Sequence, residues 1–157
     1  MTGVVVVDTN LLMLLIVGAA SKDYIRMHRR LNFYTVDDFE LLVEIIGQFS
    51  DMVSLPHILA EVSNFSRQIK NPARARVQDK LREFIMTVTE LPIPSASGAD
   101  RPEFTELGLT DATILHLCAM SVQGINPTLL TADTALANSA HSLGYSVIDY
   151  KQEFQDG

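Results

Sequence analysis

Gly3-Val4-Val5-Val6-Val7-Asp8-Thr9-Asn10-Leu11-Leu12 holds a whole structural unit: a β-branched run, a short polar break, then leucines. An unbroken apolar run of this kind suits a strand buried on both faces, as in a parallel sheet. Leu11, Leu12, Leu14, Leu15 and Ile16 read as the helix that follows it. The same alternation recurs along the chain. Thr35 is placed to cap a helix striped by Phe39, Leu42, Val43, Ile46 and Phe49. A strand is expected over 52–55, and Pro56 opens a helix striped by Ile58, Val62, Phe65 and Ile69. Pro72 precedes a helix carrying Val77, Leu81, Phe84, Ile85 and Val88, and a strand is expected over 91–93. Residues 92–108 hold three of the six prolines, with Ser95, Ser97 and Gly98, and read mostly as loop. Thr110 begins a helix striped by Leu115, Cys118, Ala119 and Val122. A strand over 128–130, a helix over 133–143 closed by Gly144, and a strand over 145–148 complete the chain. The alternation predicts one domain over 1–157, a three-layer α/β/α sandwich around a mainly parallel five-stranded sheet.

Composition narrows the classes. With 157 residues, 47% hydrophobic and 20% charged, the chain is too apolar for disorder and long enough to bury about 70% of its unfolded surface. A single cysteine, Cys118, excludes a disulfide framework and a cysteine zinc site. The longest apolar run, 11–20, is half of the roughly twenty residues a bilayer span needs. No Lys or Arg precedes it, and Asp8, Thr9 and Asn10 interrupt the apolar stretch, so it does not read as a signal peptide. The cytoplasm is the expected location. The formal net charge of −7 disfavours a nucleic-acid binder, but the bases are clustered. Lys22, Arg26, Arg29 and Arg30 form one group; Arg67, Lys70, Arg74, Arg76, Lys80 and Arg82 form another. Such clusters fit either a phosphate-attracting stripe or two solvated helix faces. A cationic helix is expected over 22–30.

Ligands gather at the carboxyl ends of strands in open parallel sheets. Asp8 directly follows the first strand, Asp133 follows Leu130 and Thr131 closely, and Glu61 lies in the second turn after the 52–55 strand. Asp111 opens the helix before the 128–130 strand. Each acid has a plainer explanation: Asp8, Asn10 and Asp133 as helix caps, Asp111 as a complement to the helix dipole, Glu61 as a surface acid. Periodicity counts against two of these. Glu61 is three residues after Ile58 and four before Phe65, inside the apolar stripe; Asp111 is four before Leu115, again on the inward face. A charged carboxylate aimed inward is costly without a cation, and no Lys or Arg shares those helix faces. A bound ion would supply the charge. An oxygen-only set, with His28, His57, His116 and His141 scattered, favours Mg²⁺ or Mn²⁺ over zinc.

Four short motifs then come into register. Val7-Asp8-Thr9-Asn10-Leu11-Leu12 resembles the first motif of PIN-domain nucleases, and Leu59-Ala60-Glu61-Val62 the second. Gly108-Leu109-Thr110-Asp111-Ala112 resembles the third, and Leu130-Thr131-Ala132-Asp133 the fourth. The nearest variety is the stand-alone VapC-like ribonuclease, the toxin of a toxin–antitoxin pair. The resemblance implies hydrolysis of RNA phosphodiester bonds with one or two Mg²⁺ or Mn²⁺ ions, leaving 5′-phosphate and 3′-hydroxyl ends. It implies that Asp8, Glu61, Asp111 and Asp133 bind metal, that Thr131 orients the site and that Asn10 supports it. Ala112-Thr113-Ile114-Leu115 supplies none of the further acids the family often carries beside its third motif. The expected partners are an RNA substrate, guided by Arg67, Lys70, Arg74 and Arg76, a cognate antitoxin, and a second copy of the chain through the leucine-rich first helix.

Rival readings fare worse. A phosphotransfer receiver needs an early acidic pair and a late lysine. A haloacid-dehalogenase-type phosphatase needs Asp where Asn10 stands, and a dinucleotide-binding turn needs glycines where Asp8-Thr9-Asn10 has none. Two alternatives stay open: a PIN-domain protein of RNA processing that is no toxin, and a non-catalytic binding module of the same fold.

Overall fold

The computed structural model describes residues 3–151. Val4–Val7 forms β1, whose four valines are all at most 1% exposed. It runs up the middle of a five-stranded parallel sheet with β2 (Asp51–Ser54), β3 (Thr89–Glu90), β4 (Thr128–Thr131) and β5 (Val147–Asp149), in the order β3-β2-β1-β4-β5. Val5 pairs with Met52 on one side and Thr128 on the other. A strand paired on both edges and covered on both faces leaves no position for a polar side chain, which is why the run is pure valine.

The connections account for the layers. From β1 the chain steps through β2 to β3, then returns to lay β4 on the other side of β1 and β5 beyond it. Right-handed crossovers in opposite directions put their helices on opposite faces. α1 (Thr9–Ala20), α2 (Val36–Ile46), α3 (Pro56–Ser66) and α4 (Ala73–Thr87) form one helical layer, with α1 packed against the other three. α5 (Ser95–Ala99), α6 (Phe104–Leu107), α7 (Leu109–Cys118) and α8 (Thr134–Ser142) form the other, with α7 packed against its three companions. The three-layer α/β/α expectation holds. The chain reverses its direction of travel between β1 and β4, which makes their carboxyl ends the switch point of the sheet.

Several local expectations shift. The helix expected over 22–30 is a short 3₁₀ segment, Lys22–Met27, followed by turns. The His28 ring accepts the Arg30 backbone N–H at 3.1 Å, a local bond that competes with helix continuation. β3 pairs as Val53 with Thr89 and Ser54 with Glu90, ahead of the expected 91–93, because Pro92 cannot extend the ladder. The stretch 92–108 is not mostly loop; it folds into α5 and α6. α3 stops at Ser66, before Ile69, and α7 stops at Cys118, before Val122. The leucines of α1 are consumed by the chain's own core: Leu11, Leu12, Met13, Leu14, Ile16 and Val17 are all buried. Its leucine content therefore needs no second copy to explain it. Among the described residues, no helix is long and apolar enough to cross a membrane.

Candidate metal centre

At the switch point the four acids face one another across a cleft of about 310 Å³. Asp8 comes from the end of β1, Asp133 from the end of β4, Glu61 from α3 and Asp111 from the first turn of α7. The two helices belong to opposite layers, so the cleft is where both layers and the sheet edge meet. Positive φ at Gly108 (+89°) allows the abrupt turn from α6 into α7 that points the start of α7 at this cleft. A Cβ at Gly108 would meet no neighbouring atom, so backbone conformation alone demands glycine here.

Two acids keep their capping roles as well. Asp8 Oδ1 accepts the Thr9 N–H at 2.7 Å at the start of α1, and Asp133 Oδ1 accepts the Leu136 N–H at 3.0 Å at the start of α8. Capping and membership of the cleft are compatible, since each carboxylate has about four acceptor positions. Thr131, wholly buried, ties the pair together. Its hydroxyl donates to Asp8 Oδ2 at 2.7 Å and accepts the Asp133 N–H at 3.0 Å. A hydroxyl is the smallest group that both donates and accepts, so serine or threonine alone could make this link in the space. Asn10, the second residue of α1, stands half-buried in the wall.

The electrostatics of the cleft is strained. Burial pushes Asp8 above its ordinary range; the bonds from Thr131 and Thr9 pull it partly back, and the charges of Asp133 and Glu61 push it up again. Asp111 is pushed up to about 7, first by burial and then by the charges of Asp8, Asp133 and Glu61. Glu61 Oε2 is buried without a hydrogen-bond partner. Such an atom is expensive unless something positive meets it. The donors are all carboxylate oxygens, the chemistry of a hard dication. The residues fit Mg²⁺ or Mn²⁺ on those grounds. As the side chains stand, however, no three His, Cys, Asp or Glu among the described residues are closed into a metal-clasping group.

One cation enters the cleft that the periodicity of α3 and α7 did not reveal. Arg30 lines it, its guanidinium lying 3.9 Å above the centre of the Phe65 ring. Phe65 is four residues after Glu61, on the same side of α3. Arg30 is carried there by a fixed turn: His28, 3% exposed, bonds Gln68 through Nε2 at 2.7 Å, and Leu31 is wholly buried. No Lys or Arg shares the inward faces of α3 and α7, as expected; Arg30 reaches the cleft from another part of the chain.

The cations expected to guide RNA sit elsewhere. Arg67 and Arg74, with Arg82, line a separate groove of about 550 Å³ between α3 and α4. Ser63 lines it too, and Ser63 and Arg67 lie two and six residues after Glu61, rotated to the far side of α3. Lys70 faces a third hollow beside Tyr24 and Met27, and Arg76 donates to the Tyr24 hydroxyl at 3.4 Å. The structure thus gathers the four acids and leaves these four bases outside the cleft. His57 bonds the Ser95 hydroxyl at 2.8 Å and does not line the cleft; Asp149, at the end of β5, accepts the Lys151 N–H at 3.1 Å. No protein-family model matches the chain, and no curated protein matches it.

Proposed function

We propose that the chain is an Mg²⁺- or Mn²⁺-dependent ribonuclease of the PIN type. The observation that carries the reading is the buried, unpartnered Glu61 Oε2 in a cleft shared with Asp8, Asp111 and Asp133 at the switch point of the sheet. The resemblance in motif and the parallel order β3-β2-β1-β4-β5 support it. Asp8, Glu61, Asp111 and Asp133 would hold one or two ions, which when bound polarise a water and steady negative charge on the phosphate.

The chain's own part is positional. Thr131 and the Thr9 N–H fix both Asp8 oxygens, so this carboxylate arrives with its orientation already set. The Asp133 backbone is pinned by the same hydroxyl. The Asn10 amide, lining the cleft together with the acids and Arg30, is available to donate to a phosphate oxygen, and Arg30 to neutralise a neighbouring phosphate. Walls built from Phe65, Leu107 and Leu109 keep the cleft narrow. No nucleophilic side chain takes part. Within this reading the chain acts in the cytoplasm as the toxin of a toxin–antitoxin pair, its antitoxin the product of an adjacent gene.

One observation favours a second reading, a non-catalytic binding module: the carboxylates are not closed into a metal-clasping group as they stand. Incubation of the purified protein with single-stranded RNA and Mn²⁺ or Mg²⁺ separates the two. Cleavage should require the ion, stop on chelation, and be abolished in Asp8→Asn. Cleavage that survives Asp8→Asn overturns the site; failure of any RNA to be cut, together with no ion uptake in calorimetry, supports the binding module.

A further inference from the structure

The acidic cleft does not end at Asn10. It opens into a larger groove of about 1040 Å³ that shares Asn10, Arg30 and Asp133 with it and runs on past Phe33, Tyr34 and Lys151. Phe33 is 88% exposed, the most exposed of the large apolar side chains described. A lone exposed phenylalanine is ordinary. Phe33 differs in that its backbone is held. The Leu31 N–H bonds the His28 carbonyl at 2.9 Å and the Tyr34 N–H bonds the Leu31 carbonyl at 2.9 Å. The Tyr34 ring meets Tyr150 edge-on at 6.3 Å, and the Tyr150 hydroxyl donates to the Asp38 carbonyl at 3.0 Å. An apolar ring is thus presented to solvent on a braced turn, in a groove that also carries Arg30 and Lys151, beside the acidic cleft.

We infer that this groove takes the single-stranded RNA next to the cleaved bond, with an unpaired base stacked on Phe33 and the flanking phosphates neutralised by Arg30 and Lys151. The inference rests on the ribonuclease reading. It adds a platform that selects an unstacked nucleotide, since a base still paired within a duplex has no free face to offer the ring. Charge points the same way. The protein is acidic overall at −7, and Asp38 in this groove is already committed to the Thr35 backbone N–H and hydroxyl and to the Tyr150 hydroxyl. Arg30 and Lys151 enter no ion pair among the described residues, leaving both for phosphate.

The test uses a twelve-nucleotide single-stranded RNA with 2-aminopurine at successive positions, bound by the Asp8→Asn protein so that no cleavage intervenes. One position should be quenched on binding. Phe33→Ala in that background should weaken binding about 5- to 150-fold, the loss of one base–aromatic stack, and abolish the quench. Phe33→Tyr should retain both, and since the ring is exposed neither change threatens the fold. In the otherwise native protein, Phe33→Ala should raise KM with little change in kcat. Unchanged affinity and quench in Phe33→Ala overturn the inference and make the exposed ring a protein contact. Quenching and weakened binding without any RNA cleavage by the native chain would leave the platform standing and remove the nuclease reading, so the two fail separately.

Discussion

Asp111 concentrates the electrostatic problem of the molecule in one side chain. Its carboxyl stands at about 7 against an ordinary 3.8, because it is buried and faces Asp8, Asp133 and Glu61. Between those two values the folded protein holds a proton that the unfolded chain has released. The contribution of Asp111 to the stability of the ion-free protein is therefore greatest below the ordinary value, falls as pH rises towards 7, and levels off above it. Asp8, raised in the same direction, adds to the fall. Asp111→Asn should flatten part of the slope, seen as a smaller difference in urea midpoint between pH 4.5 and pH 7.5. Mg²⁺ or Mn²⁺ should raise the midpoint of the native chain, more at pH 7.5 than at pH 5, because protons compete for the same oxygens. An Asp111→Asn slope equal to the native one would mean that Asp111 does not carry the strain. The inward position of Asp111 and Glu61 was legible in the sequence, because an acid inside an apolar stripe breaks the helical pattern. Arg30 was not. Its place depends on where the turn after His28 crosses α3, a tertiary fact secured by the His28–Gln68 bond across forty residues of chain.

Among the elements, α5 and α7 show how the site is held from behind. Gly98 of α5 packs so closely on α7 that an added Cβ would collide with the Thr113 hydroxyl and press on the Thr113 backbone nitrogen at 3.1 Å and the Leu109 carbonyl at 3.3 Å. Thr113 cannot swing away freely, since its hydroxyl donates to the Leu109 carbonyl at 2.7 Å. Gly98→Ala should push the start of α7, and with it Asp111, off its place. We expect a loss of stability of about 1–3 kcal/mol by denaturant unfolding, the usual cost of overpacking, and a larger proportional loss of RNA cleavage. Full cleavage in a destabilised Gly98→Ala protein would show that α7 tolerates the shift. This contact lies within the stretch 92–108, where prolines and serines gave no periodic signal; helices of five and four residues are too short to write one. Long elements were readable for the opposite reason. The eleven residues of α2 and the fifteen of α4 each repeat their apolar face through several turns, and Thr35 caps α2 as expected, with Asp38 completing a capping box that the sequence reading did not name.

Over the whole molecule, charge is divided between two sides of α3. Glu61 and Phe65 face the acidic cleft with Arg30, whereas Arg67 and Arg74 line the groove shared with α4. A strand occupying both must pass around a helix about 10 Å across. The two sets of cations should consequently answer to RNA of different lengths. For a trinucleotide, which fills the cleft and no more, Arg67→Ala with Arg74→Ala should leave affinity unchanged, while Arg30→Ala should weaken it. For a structured RNA long enough to wrap α3, the Arg67/Arg74 pair should matter as well. Its removal should lower the slope of log affinity against log salt by about 1.4, two phosphate contacts at roughly 0.7 each for single-stranded segments. Filter binding over a salt series with both RNAs measures this directly. If the double substitution leaves the long-RNA slope untouched, the basic groove is a solvated face, and the acidic molecule draws its substrate in through the Arg30 and Lys151 side alone.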